Sequence, residues 1–184
     1  MSATLTAESP GARVVAEERA ARPRGPRWWA GPAAPVFTVL ALSGVFVARA
    51  CFVVEGVRRF TLFDDAMVSM RFARNLAEGH GLVYNAGGPR VEGYTNFLWT
   101  LWLAALHVAP PRLVPLLVSL SGAALLAIGV LLTGAIARRL VPERPVVATI
   151  AMWATALYYP LAYWTLRGLE PGLLAVVGQL AVLL

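Results

Sequence analysis

Apolar residues fall into four long segments, which are separated by short runs of charged and turn-forming residues. The segments run over 36–54, 113–137, 145–163 and 172–184. A helix that crosses the hydrocarbon core of a membrane needs about 20 mainly apolar residues. The first three segments meet that length, and the sequence stops within the fourth. The pattern therefore predicts an all-α integral membrane protein of several spans, truncated in its fourth span, with residues 36–184 as its transmembrane domain.

The one long polar interval, residues 61–99, lies between the first two predicted spans. Over 66–78, its apolar side chains recur at steps of four and polar side chains occupy the other side, which predicts a short amphipathic helix. Glycines on both sides of His80 end this helix. The apolar residues are Val68, Phe72 and Leu76, and the polar residues are Arg71, Arg74, Asn75 and Glu78.

The apolar segment over 96–108 is too short to cross a membrane before the chain reaches Pro110. We expect it to form a re-entrant or interfacial helix on the outer face. Trp99 and Trp102 would then lie at the depth of the lipid head groups, where tryptophan is enriched. Together with the amphipathic helix, this segment makes an external loop over 55–112.

The distribution of charge indicates the orientation of the chain in the membrane. The sequence is 58% hydrophobic and carries a net charge of +6, and all sixteen of its basic residues are arginine. The arginines cluster at the ends of apolar segments, as topology signals do, so nucleic acid is not an expected partner. Arg138, Arg139 and Arg144 predict the cytoplasmic end of the second span, so the polar interval is expected outside the cytoplasm. Residues 1–35 are rich in Ala, Pro and Arg and have no apolar period, which predicts a disordered cytoplasmic tail. A cleaved signal peptide is the competing interpretation of the first segment, because residues 48–50 have the form of a cleavage site.

Carboxylates stand beside the membrane in both predicted external loops. Asp64 and Asp65 lie in the first loop, and Glu170 lies in the second. A carboxylate at the hydrocarbon boundary is costly unless it is paired, so its presence there suggests a function. During transfer from a lipid-linked phosphosugar, it can take the proton of the acceptor hydroxyl as general base. Arginine or a divalent cation can stabilise the departing phosphate, and Asp64 and Asp65 offer oxygen ligands for that cation.

Two stretches resemble the N-terminal part of the GT-C superfamily of polytopic glycosyltransferases, and they read FDDAMVSMRFARNLAEGHGLVYNAGGPRVEGYTNFLW and YWTLRGLEPGLLA. The closest resemblance is to the actinobacterial arabinofuranosyltransferases and their relatives, which use polyprenyl-phosphate sugars. The resemblance implies a multispan helical module with external interfacial helices. It also implies a catalytic carboxylate at Asp64 or Asp65 and a donor lipid phosphate bound near the membrane surface. Arg167 and Pro171 depart from these relatives, which often have Ser or Thr at both positions.

Besides the two candidate catalytic residues, Asp64 and Asp65, seven polar residues are candidates for binding substrate. Each candidate also has a structural alternative. Either aspartate can cap the helix that follows, Arg74 can pair with Glu78 one turn further on, and the others can order their own turns and loops. The seven are Arg71, Arg74, His80, Glu92, Tyr94, Asn96 and Glu170.

These patterns predict a membrane glycosyltransferase that moves a sugar, with arabinofuranose or mannose as the candidates, from a polyprenyl-phosphate donor. The acceptor would be a cell-envelope glycan or protein outside the cytoplasm, and a divalent cation is the one cofactor considered. A transporter of lipid-linked sugars and a noncatalytic membrane subunit are the alternatives. A transporter is expected to have ionisable residues or broken helices near mid-membrane. Since the predicted spans are apolar except near their ends, the pattern favours the enzyme.

Overall fold

The computed structural model describes residues 31–91 and 93–184. These ranges are mostly helical and include one two-stranded β-hairpin, so the all-α prediction is confirmed in outline. The predicted tail over 1–35 lies outside the described residues as far as residue 30. In chain order the elements are α1 (Ala33–Arg49), β1 (Cys51–Val54), β2 (Val57–Phe60), α2 (Asp64–Ala77), α3 (Phe97–Leu106), α4 (Val114–Leu140), α5 (Pro145–Ala156), α6 (Tyr159–Leu166) and α7 (Pro171–Leu183).

Helix α4 is the element against which the other long helices pack. It has 27 residues, and within the described ranges it is the one helix that is long and apolar enough by itself to cross a membrane. Helices α1, α5, α6 and α7 all contact it. Val39 of α1, Leu126 of α4 and Met152 of α5 belong to the buried core between them. At Gly122 a β-carbon would lie 2.8 Å from the carbonyl oxygen of Thr165, so glycine is needed for α6 to approach α4.

The first predicted span, 36–54, is helical only as far as Arg49, which corrects its boundary. The chain then forms the hairpin, in which Val54 pairs with Val57. Residues 55–56 at its tip have φ angles of 50° and 76°, the backbone of a tight two-residue hairpin turn. The β-branched and aromatic residues on both sides favour strands over a continued helix. Helix α1 therefore has 17 residues and is shorter than the predicted span.

The predicted span over 145–163 is broken in the structure. Helix α5 ends at Ala156 and α6 begins at Tyr159, and the two helices differ in direction by 47°. Pro160 lies in the first turn of α6 and has no N–H to continue the hydrogen-bond pattern of α5, which explains the break. By length and composition, α5 and α6 together could still cross a membrane as one bent span.

Helices α2 and α3 pack on each other and against the start of α4. The amphipathic helix predicted over 66–78 is confirmed as α2, and the short apolar segment over 96–108 forms the ten-residue α3. Trp99 is only 2% exposed and packs in the core beside Leu103. Trp99 is therefore covered by protein, whereas Trp102 is 47% exposed, and the depth of the two residues at the lipid head groups stays a prediction.

The buried face of α2 includes one residue that the sequence pattern placed on the polar side. Asn75 is 6% exposed. Its side-chain amide donates hydrogen bonds to the carbonyl oxygens of Val83, at 2.7 Å, and Tyr84, at 2.9 Å. Because these bonds satisfy the amide, burial of Asn75 is tolerated, and the residue ties the loop after α2 to the helix.

Candidate functional site

The two loops that carry the predicted acids are bonded directly to each other. The backbone N–H of Phe63 donates to the carbonyl oxygen of Arg167 at 2.9 Å, and the indole N–H of Trp99 donates to that of Gly168 at 2.8 Å. Gly168 has a φ of 95°, which favours glycine, and a β-carbon there would lie 3.1 Å from that of Ala66. The segment after α6 is thereby held against the start of α2.

This junction brings one acid from each loop to the wall of the same cavity. Asp65 of α2 and Glu170, which immediately precedes α7, both line a cavity of about 360 Å³. Of the predicted site residues, Tyr94 and Asn96 also line it. The remaining lining residues are Val68, Ser69, Gly93, Thr95 and Leu169.

Asn96 connects Glu170 to the helices behind it. The hydroxyl groups of Ser69 and Thr100 both donate to Asn96 Oδ1 at 3.0 Å, and Asn96 Nδ2 donates to Glu170 Oε2 at 2.9 Å. Since Oδ1 receives both hydroxyl donors, the amide group turns its N–H bonds towards the carboxylate. Ser69 is 4% exposed and Thr100 is fully buried, so this network is anchored in the core and positions Glu170.

The structure distinguishes between the two neighbouring aspartates. Both are exposed in the first turn of α2, where carboxylates interact favourably with the helix dipole. Asp64 Oδ1 accepts the backbone N–H of Asp65 at 3.1 Å, and Asp64 does not line the cavity. Asp65 does line it, which makes Asp65 the better placed of the two to act on a molecule in the cavity.

Two predicted substrate-binding arginines, Arg71 and Arg74, are engaged away from the cavity. Arg71 Nε donates to the carbonyl oxygen of Tyr84 at 3.1 Å, and its guanidinium lies 5.6 Å from the centre of the Tyr84 ring. Arg74 Nε lies 2.8 Å from Glu78 Oε1, as in the structural alternative for this residue. The hydrogen bond from Arg74 holds the pKa of Glu78 below its ordinary value. Both arginines thus stabilise α2 and the loop after it.

His80 lies in the turn that ends α2 and does not line the cavity. Its backbone N–H donates to the carbonyl oxygen of Asn75 at 2.9 Å, and its ring Nδ1 is 3.7 Å from Glu78 Oε2. The glycines on either side have φ angles of 83° and 82°, so they allow the left-handed backbone of the turn. Glu92, another predicted contact, lies outside the described residues.

Tyr94 lines the cavity, and its ring packs on aromatic neighbours. Its ring centre is 4.8 Å from that of Phe72, in an edge-to-face arrangement, and 6.4 Å from that of Phe97. These contacts hold the loop before α3 against α2. The sequence pattern did not identify Ser69 or Thr100, although the four-residue spacing between Asn96 and Thr100 is compatible with a contact across one helical turn.

The divalent cation considered above would need oxygen ligands from the side chains on the cavity wall. Such a cation takes about six oxygen ligands. Within the described ranges, no group of three or more His, Cys, Asp or Glu side chains is arranged to hold a metal ion. Asp65 and Glu170 are the two carboxylates on the cavity wall, and Asn96 Oδ1 already accepts two hydroxyl groups. The cavity wall therefore offers a cation two carboxylates rather than a full set of protein ligands, and the residue roles proposed below do not depend on a metal.

Comparison of the chain with protein-family models, with curated proteins and with solved structures found no match. The resemblance to the GT-C superfamily therefore stays a prediction from the two sequence stretches that carry it. In the part of the chain that the structure describes, the fold is mainly helical with one membrane-length helix, and two carboxylates line one cavity.

Proposed function

We propose that this chain belongs to a membrane glycosyltransferase of the GT-C type, which transfers a sugar from a polyprenyl-phosphate donor to an extracytoplasmic acceptor. The observation that carries the proposal is the shared cavity of Asp65 and Glu170, with Glu170 held by Asn96. Glycoside hydrolases, which also react at a sugar carbon, use a pair of carboxylates with separate roles. The resemblance of both acid-bearing stretches to that superfamily supports the same function.

The exposed apolar surface supports placing several helices in the membrane. Large apolar side chains are exposed on three helices, as with Phe37 (74%) on α1, Ile128 (43%) on α4 and Leu174 (63%) on α7. Only 39% of the most apolar stretch of α4 is buried, whereas the core helix of a soluble protein is mostly buried. We place Arg138 and Arg139, in the last turn of α4, on the cytoplasmic side, so that the cavity opens to the outside.

In the proposed reaction, Asp65 acts as general base and Glu170 binds sugar hydroxyl groups. The acceptor hydroxyl gives its proton to Asp65 while its oxygen forms a bond to the anomeric carbon of the donor sugar. The bond between that carbon and the phosphate oxygen breaks, and the polyprenyl phosphate leaves with the electron pair. Asp65 then releases its proton to water or to the departing phosphate.

The first test compares Asp65→Asn with Asp64→Asn in the complete protein, using transfer from a labelled lipid donor. We expect Asp65→Asn to lower the rate about 100-fold or more, because general-base catalysis typically contributes at least that factor. Asp64→Asn is the matched control and should stay within about tenfold of wild type, since removing a helix-terminal charge costs at most about 1 kcal/mol at an exposed site. Equal rates in all three proteins would contradict the assignment.

The break between α5 and α6 gives one observation in favour of the transporter alternative. Discontinuous helices form the binding sites of many transporters, and these two helices are bent by 47° at residues 157–158. These residues are Leu157 and Tyr158, so the break itself contains no carboxylate or guanidinium group. In vesicles that contain labelled lipid-linked sugar and no acceptor, a transporter would move the lipid between leaflets, whereas the proposed enzyme would not.

A further inference from the structure

A second cavity, here called the α1–α6 groove, lies away from the acids. It has a volume of about 330 Å³ and runs between α1 and the α5–α6 pair, and its walls are almost wholly apolar. Leu42 is 51% exposed, Val45 60% and Tyr159 66%, so the groove is open along its length. None of its lining residues lines the cavity that contains Asp65 and Glu170.

Two arginines lie at one end of the α1–α6 groove. Phe46 and Tyr163 form this end, with their ring centres 5.9 Å apart in an edge-to-face contact. The guanidinium of Arg167 lies 5.8 Å from the Phe46 ring centre and 5.7 Å from that of Tyr163. Arg49 lines the groove itself, one helical turn beyond Phe46 on α1, whereas Arg167 reaches it through its contacts with these two rings. Both positive charges are thus placed where the apolar walls end.

These two charges are not neutralised by the described part of the protein. The ion pairs found there join Arg74 and His80 to Glu78, and none involves Arg49 or Arg167. Arg167 Nη1 donates to Thr61 Oγ1 at 3.3 Å, but its Nε is buried and has no hydrogen-bond partner in the described residues. A buried donor without a partner is costly. An anionic group beside this guanidinium would balance its charge.

We propose that the α1–α6 groove binds an anionic glycerophospholipid of the bilayer, with one acyl chain on the apolar walls and its phosphate against Arg49 and Arg167. The inference rests on the proposed membrane placement, because it requires α1 to face lipid. Arginine binds phosphate through strong charge-assisted hydrogen bonds. A resident lipid is favoured over the reacting donor, because the groove and the cavity with Asp65 have no lining residue in common.

The experiment measures lipid binding to the purified, delipidated full chain by native mass spectrometry. Dioleoylphosphatidylglycerol is the probe, and zwitterionic dioleoylphosphatidylcholine and decaprenyl phosphate are the competitors. We expect phosphatidylglycerol to bind in preference to both competitors. Arg49→Gln should weaken its binding about tenfold, the effect of losing one charge-assisted hydrogen bond of about 1.4 kcal/mol. Leu42→Trp, which fills the groove and keeps both charges, should weaken it as well.

Arg112→Gln is the matched control, since Arg112 is exposed, lies outside the groove and is placed on the same side of the membrane. Arg49 is itself exposed, so Arg49→Gln removes a positive charge without disturbing the core. Arg167→Lys tests whether a positive charge alone, without the guanidinium group, is enough to bind phosphatidylglycerol. Equal binding by the Arg49→Gln and Arg112→Gln proteins would overturn the inference. Displacement of phosphatidylglycerol by equimolar decaprenyl phosphate would also overturn it and assign the groove to the donor. No sugar transfer is measured, so the result is independent of Asp65.

Discussion

Asn96 is the residue on which the geometry of the cavity depends most. It accepts hydrogen bonds from two buried hydroxyl groups and donates one to the carboxylate of Glu170. Because buried hydroxyl groups hold the Asn96 side chain, Asn96 fixes the orientation of the Glu170 carboxylate on the cavity wall. In the proposed reaction, Asn96 is therefore a positioning residue, and Asp65 and Glu170 are the residues proposed to contact substrate.

Replacement of Asn96 by leucine should loosen Glu170 and leave Ser69 and Thr100 without their shared acceptor. We expect the KM for the lipid donor to rise about tenfold, the value of one hydrogen bond to a charged group, with a smaller change in kcat. The free energy of unfolding should fall by about 1–3 kcal/mol, because two buried hydroxyl groups lose their partner. Thr100→Val, which keeps the bond to Glu170, is the control for stability alone. A fall in kcat with unchanged KM would contradict the positioning role.

Helix α2 carries its cavity residue and its surface ion pair at opposite ends. Its first turn presents Asp65 to the cavity, while its last turn carries the Arg74–Glu78 pair on the solvent side. The pair is exposed, and such pairs contribute little to stability. The pair therefore affects only the end of the helix and the turn that contains His80.

The lowered pKa of Glu78 predicts how this helix end responds to acid. Since the folded pKa is depressed, the stabilisation is present above the ordinary pKa of glutamate and is lost as the pH falls through the lowered value. Hydrogen exchange at residues 78–80 should therefore speed up, beyond its intrinsic pH dependence, over that acidic window. In Arg74→Ala the extra acceleration should be absent, whereas in Arg71→Ala it should persist. The same pH profile in Arg74→Ala and wild type would contradict this account.

The elements that the sequence pattern predicts correctly are those in which local spacing and burial agree. The apolar repeat of α2 and the uninterrupted apolar run of α4 are visible in the sequence because each helix packs with a continuous face. Asp65 and Glu170 were each predicted as candidate site residues, and the structure places both on the wall of one cavity. Burial of Asn75 and of Trp99 could not be predicted, because each depends on carbonyl groups of another loop.

Other departures come from local signals that the apolar pattern hides. The hairpin after α1 is apolar enough to be taken for the end of a span, although its β-branched residues flank a Glu-Gly turn. The break before α6 depends on one proline, Pro160, within an otherwise apolar run. In both places the mean hydropathy is high enough to predict a continuous span, although the backbone changes direction.

At the scale of the whole molecule, the proposed orientation puts the cavity outside the cytoplasm and the end of α4 inside. Single cysteines test this in a Cys51→Ser background, because the sequence has one cysteine. In intact cells, a membrane-impermeant maleimide should label His80→Cys and Arg112→Cys. It should label Arg139→Cys only after permeabilisation. Labelling of Arg139→Cys alone in intact cells would reverse the orientation and exclude an extracytoplasmic site.

The central claim is that Asp65 and Glu170 act together from one cavity, and a double-mutant cycle tests it most directly. Transfer from the labelled lipid donor is measured for Asp65→Asn, Glu170→Gln and the protein with both substitutions. We predict that the double variant loses little more activity than the less active of the two single variants, because Glu170 is proposed to hold the sugar where Asp65 acts, so loss of either residue removes the benefit of the other. Losses that simply multiply, or full activity in either single variant, would contradict the shared site.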